Sequence, residues 1–242
     1  MPKGMGDMSS SGDDPAGIGV SLPARIAIIA LAAGASRRFG SRDKLLQPIG
    51  IGGEPLVVRV LLRLVRVAHQ SAAIEIVAVV PDLDGAVARA IRTIPAAIRL
   101  VANPDRDNGL GASVAAGIAS LAGGPIAGGG SEHSRQGGHD AFTAAVVTPC
   151  DMPNLTAALV ERLIAAFLSG GDRPAHAVLP AGTPVSPMVW PRRMFPALMA
   201  LDGDRGGRHL LAGQSSIAVP VDADELLDID TAQDLAAYKA RD

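Results

Sequence analysis

Four cations, Arg37, Arg38, Arg42 and Lys44, fall within eight residues of this 242-residue chain, in a stretch that also carries Gly34 and Gly40. Glycine lets a ligand come close to the backbone, and successive N–H groups of a turn can converge on phosphate. The segment Leu31-Ala-Ala-Gly-Ala-Ser-Arg-Arg-Phe-Gly-Ser-Arg-Asp-Lys-Leu-Leu46 thus has the parts of an anion cradle. The alternative is a surface loop of solvated arginines. The loop follows directly on a buried strand, and open α/β sheets bind ligands beyond the carboxyl ends of their strands, which favours the cradle. It lacks the G-x-G-x-x-G of a dinucleotide fingerprint and the G-x-x-x-x-G-K-[ST] of a Walker A loop.

The elements that must hold this loop alternate in kind. Arg25 to Ala33 is a nearly unbroken apolar run, which reads as a strand covered on both faces in a parallel sheet. Pro55 to Ala68 is strand-like by propensity, but Arg59, Arg63 and Arg66 recur at helical spacing, so a helix is expected. Further strands are expected at 74–80, 98–101 and 144–148. Helices are expected from a cap at Asp84 to Ile94, at 111–121 and at 156–167. After residue 175 two short strands, 175–179 and 185–190, come close together and suggest an antiparallel excursion. Helices at about 193–200 and 205–212 and a strand at 217–221 follow. Thr231-x-x-Asp234 is a capping-box-like start to a last helix. Such alternation means βαβ units and a mostly parallel sheet.

Composition narrows the function classes. A net charge of −2 with both signs mixed removes the electrostatic case for non-specific nucleic-acid binding, though not for small anionic ligands held by a few local cations. Aromatic residues at 2% do not make a stacking platform for single strands. The longest apolar run, Ile26 to Ala33, is too short to cross a bilayer, and no leader-like pattern opens the chain, so a cytoplasmic protein is expected. The single cysteine, Cys150, excludes an internal disulfide framework and reads as a buried small hydrophobe rather than a catalytic thiol. Residues 1–24 read as a flexible tail, 25–242 as one domain, and the glycine-rich 122–140 as a flexible insert. His133 and His139 in that insert are read as solvated rather than as metal ligands.

The loop and four later stretches, in order, resemble the nucleotidyltransferases of the molybdopterin-dinucleotide type, most closely the molybdenum cofactor cytidylyltransferase branch. Leu31-Ala-Ala-Gly-Ala-Ser-x-Arg-Phe-Gly-x-x-Asp-Lys-Leu-Leu is similar to the family's signature. Gly109-x-x-x-Ser113-x-x-x-Gly117 resembles its nucleotide-bordering segment. Thr148-Pro-Cys-Asp-Met-Pro153 resembles its metal-binding Cys-Asp-x-Pro. Gly182 to Pro187 with Gly203 to Arg208 resembles the segments that face the second substrate, and Asp228-Ile-Asp-Thr231 resembles the closing Asp-x-Asp-Thr.

The resemblance implies a Rossmann-like three-layer α/β/α fold of the nucleotide-diphospho-sugar transferase type, with a mostly parallel sheet and a small antiparallel excursion. It implies transfer of CMP from CTP to molybdopterin or molybdenum cofactor, with release of diphosphate. The alternatives are GTP as donor, another phosphorylated acceptor, or, in a different class, a non-catalytic nucleotide-binding maturation factor for molybdenum hydroxylases. Maturation proteins of those hydroxylases enter as partners on the same ground. Both reactants are anionic, so the chemistry is charge neutralisation and in-line positioning. Arg38, Lys44 and Asp151 are the catalytic candidates. Leu31, Ala32, Ala33, Gly34, Arg37, Arg38, Lys44, Gly111 and Ser113 are the nucleotide-binding candidates. Mg²⁺ is the expected cofactor, with Asp151 and Asp230 as ligands and Asp228 as the rival of Asp230. Asp204, Arg205 and Arg208 are candidates for contact with an anionic acceptor, with surface salt bridging as the alternative. Trp190 and Phe195 are read as core.

Overall fold

The computed structural model describes residues 24–34, 39, 43–50, 52–121 and 141–241. Arg37, Arg38, Gly40 and Arg42 of the loop, nearly all of the expected tail and the whole 122–140 insert lie outside the described residues.

The strand expected first runs as β1 (Ile26–Leu31), inside a seven-stranded sheet. It pairs in parallel with β4 (Ile74–Val80) on one side and β6 (Ala144–Pro149) on the other, and β4 pairs in parallel with β5 (Ile98–Ala102). The antiparallel excursion is one strand, β8 (Pro184–Pro191), which runs against both β6 and β7 (Ala175–Val178). β9 (Ile217–Pro220) closes the sheet parallel to β7, giving the order β5-β4-β1-β6-β8-β7-β9. A two-residue hairpin, β2 (Pro48–Ile49) with β3 (Glu54–Pro55), stands apart from this sheet.

All six residues of β1 are buried, and they alternate between two cores. Ile26, Ile28 and Ala30 face a core shared with α1 (Leu56–Ala68), α2 (Ala86–Ile91), α4 (Ala157–Ser169) and α6 (Ala232–Lys239). Ala27, Ile29 and Leu31 face a core shared with α3 (Leu110–Ala119) and α5 (Phe195–Met199), and Trp190 and Phe195 are buried in it as expected. This period of two, with helices on both sides, is the three-layer α/β/α arrangement. α3 lies close against β1 because residue 117 is glycine: a Cβ there would meet Ile29 Cγ2 at 2.4 Å.

Two expected helices differ from the sequence reading. Asp84 does not cap α2, because the chain is still turning there. The Asp82 carboxylate accepts from the Asp84 N–H and the Asp82 carbonyl from the Gly85 N–H, so the helix starts at Ala86. It ends at Ile91, short of Ile94, which precedes Pro95 and is disfavoured from helical geometry. The segment expected as a helix at 205–212 is a 3₁₀ turn over Gly207–Leu211. The helix of 156–167 is α4, capped by the Thr156 hydroxyl, which accepts from the Leu159 N–H at 3.1 Å.

Candidate active site at the carboxyl ends of the strands

Three of the side chains singled out in the sequence meet beyond the carboxyl ends of β1 and β6. Lys44 begins a 3₁₀ turn, Lys44–Leu46, whose start is fixed by the Asp43 carboxylate accepting from the Leu45 N–H at 2.9 Å. Its side chain is only 10% exposed and its Nζ donates to Asp151 Oδ2 at 2.7 Å and to Asp230 Oδ1 at 3.0 Å. Burial alone would push the ammonium down, but the Asp151 carboxylate, and then that of Asp230, more than offset it and leave the pKa above the ordinary lysine value.

The two carboxylates arrive from segments 79 residues apart that are joined by backbone. The Asp151 carbonyl accepts from the Ile229 N–H at 2.9 Å, and the Cys150 N–H donates to the Leu31 carbonyl at 3.1 Å, extending the β1–β6 pairing to the turn that carries Asp151. Asp230 is held from the other side. The Asp234 carboxylate accepts from the backbone N–H of Thr231 at 2.7 Å and of Asp230 at 3.2 Å, while the Thr231 hydroxyl accepts from the Asp234 N–H, a capping box as expected. Asp228 is more exposed. Its carboxyl is raised by burial first, then by the charges of Asp230 and Asp151. Geometry therefore pairs Asp230, rather than Asp228, with Asp151 across Lys44.

One residue of this site was not legible as such in the sequence. Arg63, part of the polar stripe of α1, reaches back to the Asp151 turn, and its Nη1 donates to the carbonyls of Pro153 (2.7 Å) and Leu155 (2.8 Å). The signal available was only its helical spacing, which marks a polar face and not what that face touches.

The donor set fits a hard divalent cation. Two carboxylates, Asp151 just beyond β6 and Asp230 just before α6, are what Mg²⁺ takes from a protein, the rest of its shell coming from substrate oxygens and water. Among the described residues no group of three or more His, Cys, Asp or Glu side chains could hold a metal ion, so a site here would need the substrate to complete it. The burial that surrounds Cys150 pushes its thiol far above the ordinary value, with the neighbouring Asp151 charge adding to the effect.

The other nucleotide-binding candidates are placed as follows. Ala32 and Ala33 are fully buried, Leu31 is nearly so, and Gly34 is exposed with open space where a Cβ would stand. Gly111 packs on the loop that follows α5: its N–H donates to the Gly203 carbonyl at 2.8 Å, and a Cβ would meet the Asp202 backbone at 2.9 Å. Gly109, at φ +94°, is locked against Gly203 in the same way. Ser113 is buried and accepts from Asn103.

A cavity of about 530 Å³ lies at the carboxyl ends of β1 and β6. Leu31, Val147 and Pro149 at the ends of β1 and β6 line it, with Met188 and the buried Trp190 of β8 behind. Arg205 and Arg208 line its rim together with Asp204, and neither arginine is ion-paired among the described residues. The surface salt bridges that were the alternative for these residues are thus not formed there.

The sequence matches the MobA-like NTP transferase domain over residues 28–219. The chain belongs to that family. It is accordingly a nucleotidyltransferase in fold and class. No curated protein matches it. Among solved structures, a nucleotidyl transferase from Methanothermobacter thermautotroptrophicus superposes with a TM-score of 0.65 at 18% identity, covering 90% of this chain and 97% of that one. Rv0371c from Mycobacterium tuberculosis, in complex with manganese, gives 0.60 at 22%, covering 89% and 98%. Molybdopterin-guanine dinucleotide biosynthesis protein A from Archaeoglobus fulgidus gives 0.52 at 15%, covering 89% and 97%. At these identities the likeness is one of fold. No helix among the described residues is long and apolar enough to cross a membrane.

Proposed function

We propose that this protein transfers CMP from CTP to the terminal phosphate of molybdopterin or molybdenum cofactor, releasing diphosphate. The observation that carries the reading is the convergence of Lys44, Asp151 and Asp230 on one point at the strand ends, in the three motifs that resemble the family's phosphate- and metal-binding segments.

Asp151 and Asp230 would hold Mg²⁺, which when bound would neutralise charge on the triphosphate. The manganese carried by Rv0371c supports a divalent cation in this fold. Lys44, with Arg37 and Arg38 from the loop, would hold the β- and γ-phosphates and the departing diphosphate. The backbone of Leu31 to Gly34 would face the nucleotide, and Ser113 would border the nucleobase, with Gly111 shaping that end of the cleft by its packing. The acceptor phosphate is already ionised near pH 7, so no side chain need act as general base. The adjoining cavity would take the acceptor: its apolar lining of Leu31, Val147 and Pro149 suits a ring system, and Arg205 and Arg208 suit an anionic substituent.

The test is incorporation of label from [α-³²P]CTP or [α-³²P]GTP into purified molybdenum cofactor. The expected result is labelled cytosine dinucleotide with GTP as the poorer donor. Preferential guanylyl transfer would replace the donor and leave the reaction class standing. Nucleotide binding with no transfer to any phosphorylated acceptor would favour a non-catalytic maturation factor.

A further inference from the structure

We infer that Gly109 and Gly111, on the turn into α3, are positioning residues for the acceptor: they seat the loop of residues 202–207 so that Arg205 and Arg208 stand at the rim of the cavity. The inference rests on the proposed placement of the acceptor in that cavity.

Neither glycine lines the cavity, yet both touch the loop that does. The Gly111 N–H donates to the Gly203 carbonyl at 2.8 Å. A Cβ on Gly111 would stand 2.9 Å from the backbone of Asp202, and one on Gly109 would stand 2.5 Å from the Gly203 carbonyl and from Asp204 Oδ1. Gly109 is required twice over, because its φ of 94° with ψ of −171° is a region that essentially only glycine enters. The far end of the loop is seated as closely. A Cβ on Gly207 would stand 3.0 Å from Trp190 Cζ2 and 3.1 Å from Leu198 Cδ2. Between these two seats lie the exposed Asp204 and Arg205, and Arg208 follows. Neither arginine is ion-paired among the described residues, so the backbone that carries them sets where their guanidinium groups can reach.

Carbon atoms in contact stand about 3.5–4.0 Å apart, so an alanine at 111 forces either α3 or the loop to give way. α3 is fixed against β1, where Gly117 lets Ile29 approach. Alanine is also the better helix former, so α3 itself does not suffer. Residues 202–205 of the loop are exposed, and it is the loop that yields. Arginine recognises an anionic group in a fixed geometry, so a displaced loop weakens the hold on the acceptor and leaves the nucleotide end of the cleft as it was.

The experiment compares the full chain as wild type, Gly111→Ala and Asp202→Ala in label transfer from [α-³²P]CTP, with purified molybdenum cofactor as the acceptor probe. Asp202 does not line the cavity either. Its carboxylate accepts from the Gly203 N–H at 2.7 Å, so truncating this exposed side chain loosens the same seat and serves if Gly111→Ala does not fold. A second readout needs no acceptor. Trp190 is the chain's single tryptophan and is 1% exposed, so its emission and its quenching by acrylamide report whether Gly207 still covers it. The expected result for Gly111→Ala is an acceptor KM raised about tenfold or more, the worth of one charged hydrogen bond, with the CTP KM within about twofold of wild type. Trp190 should be quenched more strongly, and Asp202→Ala should change both readouts in the same direction. Adding Gly111→Ala to the pair Arg205→Ala and Arg208→Ala should raise the acceptor KM no further, since the glycine acts through those arginines. An unchanged acceptor KM, an equal rise for CTP, unchanged Trp190 emission and quenching, or a further rise on the arginine pair would overturn the inference while leaving the nucleotidyl-transfer reading intact. A wild-type protein that transfers label to no phosphorylated acceptor would overturn both.

Discussion

The ammonium of Lys44 lies 2.7 Å from Asp151 Oδ2, a charge-assisted contact between residues 107 apart in sequence. The same nitrogen reaches Asp230, 186 residues away. One buried cation thereby stands between the two carboxylates that suit a divalent metal, and it comes from the loop that follows β1.

Lys44 has two roles to be tested together. Lys44→Ala should cut turnover by about 10²–10³, the usual effect of removing one preorganised group that stabilises developing charge. It should also raise the affinity for Mn²⁺ in the absence of nucleotide, read by electron paramagnetic resonance, because nothing then competes for Asp151 and Asp230. Turnover within twofold of wild type in a folded variant would remove Lys44 from the mechanism.

Arg63 braces the turn after Asp151. Arg63→Met keeps the aliphatic stem packed in α1 but deletes two donors to the carbonyls of Pro153 and Leu155. Hydrogen bonds from charged groups contribute about 1.5–3 kcal/mol, so urea midpoints should report a loss on the order of 2 kcal/mol. Equal midpoints for Arg63→Met and wild type would mean that the turn holds itself.

The capping box of α6 gives a pH-dependent signature. The Asp234 carboxyl is held below its ordinary value, by the Thr231 hydroxyl first and its backbone N–H next. A depressed pKa in the folded state means stabilisation present above the unfolded value of about 3.9 and lost as pH falls through the folded value. Thr231→Ala should cost about 1 kcal/mol at pH 7, as N-cap removals do, and the difference from wild type should shrink on acidification. A difference that grows toward pH 3 would contradict this.

Cys150 is fully buried beside the metal-binding candidate, and burial raises its thiol. The native protein should not react with a thiol-specific disulfide reagent over minutes, and should react stoichiometrically once unfolded. Cys150→Ala should retain turnover within a few-fold, which a nucleophilic thiol would not allow.

Much of the fold was readable because its signals are local. The arginines at 59, 63 and 66 outweighed the valines of α1, and the structure has that helix at Leu56–Ala68. Thr231 and Asp234 form the reciprocal hydrogen bonds their spacing announced. The misread helix start at Asp84 is also local: an aspartate that could cap sits in a turn made by another aspartate, Asp82, and residue type does not distinguish the two. The β2–β3 hairpin is two residues long on each side and has no period to detect. At the site, motif order brought Lys44, Asp151 and Asp230 into one hypothesis, but their contact through a single nitrogen depends on how three loops meet. The Arg63 clamp and the Asn103–Ser113 bond are likewise products of packing between elements, which side-chain periodicity does not encode.

The proposed nucleotidyl transfer depends on Asp151 as a metal ligand. The most direct measurement is the Mg²⁺ dependence of label transfer from [α-³²P]CTP by wild type, Asp151→Asn and Asp230→Asn. Asparagine fills the same volume but carries no charge to offset Mg²⁺ and binds it more weakly. Asp151→Asn is expected to remain folded and to lose nearly all turnover at every Mg²⁺ concentration. Asp230→Asn should be milder, with a raised Mg²⁺ midpoint, since its amide oxygen can still coordinate and Asp228 lies nearby. Wild-type rate and midpoint in Asp151→Asn would place the metal elsewhere and remove Asp151 from the reaction.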